Sequence, residues 1–262
     1  MKFRPCIDIH NGSVKQLVGG SLKDEGNQAK ENFVADQKSD YYASMYKKDG
    51  LSGGHIIILN HKDSEYFEQT KAQAELALSV YPGGMQIGGG INADNAKEYI
   101  EAGASHVIVT SYVFSAGKVN YDNLKKLVDT VGKERVVLDL SCRRKGDKFY
   151  VVTDRWQKFT DLELNEETME MLSQYCDEFL IHGVDVEGKG SGMDERLVKI
   201  LADTVKNNTS FNPITYAGGI SSFEDIEKFA GYSEGKIDFT IGSALDIFGG
   251  HLSYKEVVER YN

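Results

Sequence analysis

Short apolar runs alternate with longer amphipathic segments along the whole chain, regularly enough to predict its elements. Strand-like runs cover 3–9, 55–60, 84–88, 106–111, 135–141, 178–185, 212–218 and 238–243. Between them, apolar residues recur at helical spacing over 39–48, 64–81, 93–103, 121–132, 167–175, 194–207, 222–232 and 254–261. Strands alternating with helices and no break in composition predict a parallel sheet with helical crossovers. Eight such βα units in 262 residues predict an α/β protein, a (β/α)8 TIM barrel forming a single domain over 1–262. Only the connections 10–37 and 142–160 are long, and both follow strand C-termini, the face on which barrels build active sites. Both are expected to be functional loops.

The pattern also repeats at half the chain length. "CIDIHNG" around Asp8 matches "VLDLSCR" around Asp139 at an offset of 131; "GGGINADNAKEYI" around Gly90 matches "AGGISSFEDIEKF" around Gly219 at 129; "VIVTSYVF" around Ser111 matches "FTIGSALDIF" around Ser243 at 132. Two half-barrels, about 1–131 and 132–262, are therefore expected. In a barrel of eight strands the first and fifth are opposite, so Asp8 and Asp139 are expected to face each other across the mouth, with the two Gly-rich pairs crosswise to them.

Composition narrows the partners. The 30 basic and 40 acidic residues leave a net charge of −10 without a basic run, which argues against nucleic acid. No apolar run approaches a membrane span. The three cysteines, Cys6, Cys142 and Cys176, have no metal-ligand spacing, which argues against a structural zinc, and read as reduced thiols of a soluble, cytoplasmic protein.

An acidic protein that binds an anion must do so with local donors. Gly89 and Gly90, with Ser111 after the next strand, form one candidate phosphate cradle; Gly218 and Gly219, with Gly242 and Ser243, form the other. "SALDIFGG" is expected to add a short helix to the second. The first half reads "VTSY" where the second reads "IGSA", so the first cradle is either a working site or a relic of duplication. If both work, the ligand carries a phosphate at each end. Asp8 and Asp139, flanking such a ligand, have the chemistry of a general acid and base; a lone buried carboxylate would more often be structural. Trp156 reads either as a loop anchor or as an aromatic lid for a planar ring. Cys6 reads as packing beneath the carboxylates.

The ordered set "CIDIHNGSVKQLVGG", "IGGGIN", "VVLDLS", "VEGKGSG", "YAGGIS" and "IGSALDIFGG" resembles the histidine-biosynthesis half-barrel family over nearly the whole chain, most of all its eukaryotic isomerase branch. The resemblance implies a bisphosphorylated small-molecule substrate, a cofactor-free Amadori rearrangement of an aminoaldose to an aminoketose, and a monomer. By motif position it implies that Asp8 is the base and Asp139 the acid, with His182 either polarising a substrate hydroxyl or bonding Asp139. It adds Gly20, Glu187 and Gly188 to the substrate-binding set. Gln16 and Asn92 stand where the commoner bacterial pattern has basic residues. Two other readings compete: the sister cyclase of the same pathway, whose loop after strand six differs from "DVEGKGSG", and a non-catalytic phosphate-ligand binding barrel.

Overall fold

The computed structural model describes residues 1–18, 21, 31–154, 156–208 and 210–262. Eight parallel strands form the barrel wall: Cys6–His10, Gly54–Ile58, Met85–Gly88, Val107–Val109, Val136–Asp139, Glu178–His182, Ile214–Ala217 and Asp238–Phe239. Each pairs with its neighbour in chain order. A parallel bridge from Phe3 to Phe239 closes the ring, with Arg4 N–H donating to the Phe239 carbonyl at 2.8 Å. The chain is a (β/α)8 barrel, as the βα alternation predicts.

The helices between strands lie close to their expected bounds, Ser39–Lys48 and Tyr254–Tyr261 matching at both ends. Their starts follow local chemistry. Asn120, Asn165, Asp194, Ser222 and Ser253 each accept a backbone N–H of the first turn, satisfying donors that a helix N-terminus leaves open.

Two apolar assemblies hold the barrel. The larger fills the space between strands and helices, and includes Ile7, Ile9, Ile56, Ile87, Leu138, Phe179, Ile181 and Tyr216. The smaller lies inside the barrel, where Ile57, Ile108, Val137, Leu180 and Ala217 meet. Alternate residues of each strand serve the two, as strand geometry demands. Beneath the inner layer sits a polar floor. Glu178 accepts from Gln86 Nε2 at 3.0 Å and Thr215 Oγ1 at 2.7 Å, and Arg4 bridges towards it while pairing with Asp238 at 2.8 Å. A buried carboxylate so bonded is satisfied rather than stranded.

The long connections depart from expectation. Ser13–Leu17 and Glu31–Val34 extend the first strand into an antiparallel ribbon. Cys142–Lys145, Lys148–Thr153 and Lys158–Glu163 build a separate three-stranded antiparallel sheet after the fifth. The described parts of both form hydrogen-bonded antiparallel strands rather than plain loops. "SALDIFGG" supplies no α-helix: Asp246–Phe248 makes one 3-10 turn, ended by Gly249 in the left-handed region.

The Gly-rich turns of the two halves share a backbone shape. Gly89 and Gly218 have φ of +98° and +120°, and Gly90 and Gly219 have +72° and +77°. A side chain at Gly89 would start 2.0 Å from the Ile58 carbonyl, and one at Gly218 2.8 Å from that of Gly183, so each turn lies against the preceding strand end.

Candidate active site

The sequence-selected residues gather at the C-terminal mouth of the barrel, in two groups. Asp8, His182, Glu187, Gly188, Gly218, Gly219, Gly242 and Ser243 line one cleft, together with Cys6, Gln16, His55 and Ser221. Asp139, Gly89, Gly90, Ser111 and Trp156 lie outside that lining, on the side served by the three-stranded arm. Gly20 lies outside the described residues.

Asp8 stands on the first strand with its pair partner Ile57 beside it. Among the described residues it forms no hydrogen bond. Burial pushes its carboxyl up to about 7; nearby Glu187 adds to the rise and His182 opposes it. Asp139 ends the fifth strand and is bonded on both oxygens. Ser141 donates to Oδ1 from N at 2.7 Å and from Oγ at 2.7 Å, and Thr110 Oγ1 donates to Oδ2 at 3.0 Å. Burial raises it too, against His182 and these donors, which favour its charged form. The two carboxylates thus differ in their surroundings.

His182 sits between them at the end of the sixth strand, and its field reaches both. Its Nε2 pairs with Glu187 Oε2 at 2.9 Å, so of the two alternatives offered for His182 the bond to Asp139 is not the one this nitrogen makes. Burial works against its charge, but Glu187, Asp139 and Asp8 outweigh it and leave the imidazole more basic than usual. Glu187 reaches it because the strand turns sharply through Gly183–Glu187, closed by Val186 N–H to Gly183 O at 3.2 Å. His55 below is buried, feels His182, and is pushed down to about 3, so it is neutral.

Trp156 is half-buried at the turn between the second and third strands of the arm. Its ring lies 5.0 Å from that of His182, and its Nε1 donates to Ser141 Oγ at 3.1 Å. The arm is tied to the strand-six turn by Asp185, which accepts from Arg143 Nε and Arg144 N–H at 2.9 Å each.

At the C-terminal cradle, Asp225 Oδ2 already takes the N–H groups of Ser221 and Ser222 at 2.9 and 3.1 Å. The helix end is capped from within, so an anion would be held by the Gly218–Gly219 turn and the Gly242–Ser243 segment. At the other cradle Asn95 likewise accepts from Asn92 N–H at 2.9 Å, and exposed Ser111 Oγ takes Asp154 N–H at 3.4 Å.

Four neighbours escaped selection from sequence: Ser141, Thr110, Gln16 and His55. Ser141 lies two residues past Asp139 and shares its parity, which was the signal; Thr110 is adjacent to Ser111 and has the opposite parity. Gln16 is buried against Gly242, where an added Cβ would fall 2.2 Å from its Oε1. Cys6 lies on the cleft floor, where Gln16 Nε2 approaches its Sγ at 3.8 Å; burial, with Asp8 and Glu187, pushes its thiol well up and leaves it unreactive.

The fold defines the class: a (β/α)8 barrel, here with carboxylates of the first and fifth strands at the C-terminal mouth. The chain belongs to the histidine biosynthesis protein family, whose model matches residues 2–252. It is 53% identical over 266 residues to a chloroplastic 1-(5-phosphoribosyl)-5-((5-phosphoribosylamino)methylideneamino) imidazole-4-carboxamide isomerase of Medicago truncatula, covering 100% of this chain and 82% of the relative. Isomerases of the same name from Yarrowia lipolytica and Saccharomyces cerevisiae are 47% and 43% identical, covering 98% and 100% of this chain and 97% and 98% of theirs.

Proposed function

We infer that this protein is an aldose–ketose isomerase of histidine biosynthesis, acting on the bisphosphorylated aminoaldose that its relatives' names specify. The relatives support the reaction, and one observation supports the residues: two carboxylates on opposite strands, both within the field of one imidazole. Asp139 donates a proton to the ribose ring oxygen as the bond from that oxygen to the anomeric carbon breaks, and the nitrogen lone pair closes a Schiff base. Asp8 then removes the proton from the adjacent carbon, whose bonding electrons pass towards the nitrogen and give an enolamine. Loss of the enol hydroxyl proton, with protonation of the former anomeric carbon, completes the ketone; no atom or electron is gained. A base with its pKa near 7 has both a large ionised fraction and a strong pull on a proton.

The C-terminal Gly-rich cradle would hold one phosphate and the N-terminal cradle the other, with Trp156 over the planar ring. We further propose two half-barrel repeats in one domain and a monomer. Among the described residues no helix is long and apolar enough to cross a membrane. The three free cysteines suit a reducing compartment, for which we propose the cytoplasm, although the Medicago relative is named chloroplastic.

The test is ketose formation from the aminoaldose without ammonia or a glutaminase. Asp8→Asn and Asp139→Asn should each lose about a hundredfold or more in kcat while substrate affinity is mostly kept. Turnover retained in both variants, or product only with ammonia, would refute the reading.

A further inference from the structure

Ser141 does two things at once. Fully buried just past the fifth strand, it gives both its N–H and its hydroxyl proton to Asp139 Oδ1, and its Oγ receives the indole N–H of Trp156. A hydroxyl has one proton, and an indole N–H can only donate. With Trp156 on its acceptor side, the serine proton is therefore directed at the carboxylate. The chain runs one way, from Trp156 through Ser141 to Asp139, and each bond polarises the next.

We propose that Ser141 is a positioning residue for the isomerisation, through which the Trp156 arm governs how firmly the Asp139 carboxylate is held. This rests on Asp139 being the acid. While the indole is docked, Asp139 carries its full set of donors. Once the indole moves over a ligand, the hydroxyl is free to turn away and the carboxylate loses a donor. The arm has reason to move: Trp156 has φ of +68°, a conformation that costs a bulky residue on the order of 1 kcal/mol or more. The other groups facing Asp139 are Thr110 from the fourth strand, His182 from the sixth with Glu187 behind it, and the Cys142 thiol further along its own chain. None of them contacts the indole–hydroxyl bond except His182, through the ring of Trp156.

A carboxyl that loses a donor to its charged form holds its proton more tightly, so the alkaline limb of kcat/KM, set by the acid, moves to higher pH. In Ser141→Ala the expected move is about one pH unit, the usual scale for one charge-assisted hydrogen bond. Trp156→Phe keeps a ring over His182, removes the N–H, and should move the limb the same way by less. In the double variant the limb should go no further than in Ser141→Ala alone. A Ser141→Ala profile that superimposes on the parent overturns the proposal, as does a Trp156→Phe shift that adds in full to it. If Ser141→Ala does not fold, an unmoved limb in Trp156→Phe overturns it equally. If the parent forms no ketose, the isomerase reading itself fails. If the parent turns over, Asp139→Asn does not, and the limb stays still, that reading stands and only this inference falls.

Discussion

Replacing Asp8 by Asn should stabilise the fold while it removes the base, and the gain should depend on pH in a defined window. Asp8 is half-buried at the cleft without a hydrogen-bond donor among the described residues, and its carboxyl is pushed from 3.8 up to about 7. A carboxyl raised in the folded state contributes stability that is whole below its unfolded pKa and is lost as pH rises through the folded one. The window therefore runs from about pH 4 to about pH 7. Across it the loss is about 1.4 kcal/mol per pH unit, or about 4 kcal/mol in total, before water in the cleft screens part of it. At pH 5 about 1.6 kcal/mol has been lost and at pH 8 all of it, so the advantage of Asp8→Asn over the parent should grow by up to about 2.5 kcal/mol between those pH values. Urea unfolding of both proteins at pH 5, 6, 7 and 8, with the slope m held common, measures the difference directly. The expected record is two curves that diverge up to about pH 7 and run parallel above it. Curves parallel throughout would refute the reasoning, because they would mean that Asp8 titrates alike in the folded and unfolded chain.

Two further outcomes follow from neighbouring contacts. Glu187→Gln removes the like charge that helps raise Asp8, so the acid limb of kcat/KM should move to lower pH while staying above the ordinary carboxylate range, since burial remains; an unmoved limb would contradict the coupling. Gly89→Ala and Gly90→Ala both place a side chain at positive φ, but only at Gly89 would the new Cβ meet backbone, 2.0 Å from Ile58 O, whereas at Gly90 nothing lies within 4 Å. Equilibrium unfolding should show a loss of about 1 kcal/mol for Gly90→Ala and about 3 kcal/mol or more for Gly89→Ala, and equal losses would contradict the packing.

The barrel was legible because its signal is local and redundant. Each strand is a short apolar run and each helix keeps an apolar face, so the helices Ser39–Lys48 and Tyr254–Tyr261 are bounded correctly by pattern alone. The arm over 142–163 was not, although Phe149 and Val151 are buried on alternate positions and Gly146 turns the hairpin at φ +65°. Its strands are half polar, and Arg and Lys on the open face hide the two-residue period. The aspartates showed through an offset of 131 residues, a comparison that the sequence carries in full. The partners of those aspartates did not. His182 meets Glu187 only because a tight turn folds five residues back, and Ser141 meets Trp156 only because an antiparallel arm returns fifteen residues later to the strand end. Such contacts depend on turn geometry and arm register, which residue types alone leave open.

The two sides of the mouth are also in different states, and the difference has a mechanical origin. Asp8 opens into the cleft beside the C-terminal Gly-rich turns, undonated and protonatable near neutrality. Asp139, on the opposite strand, is bonded on both oxygens, and Trp156 holds the outer end of that network. Asp185 ties the same arm to the turn that carries Glu187. On the proposed two-phosphate reading, the ligand spans from the Gly218–Gly219 side towards Gly89 and Gly90, and Trp156 is the ring proposed to lie over it. Moving the indole touches both Ser141 and His182, so one displacement alters the surroundings of the acid and of the imidazole together. The aspartates are fixed on strands, so in the proposed relay that adjustment falls to the arm after the fifth strand.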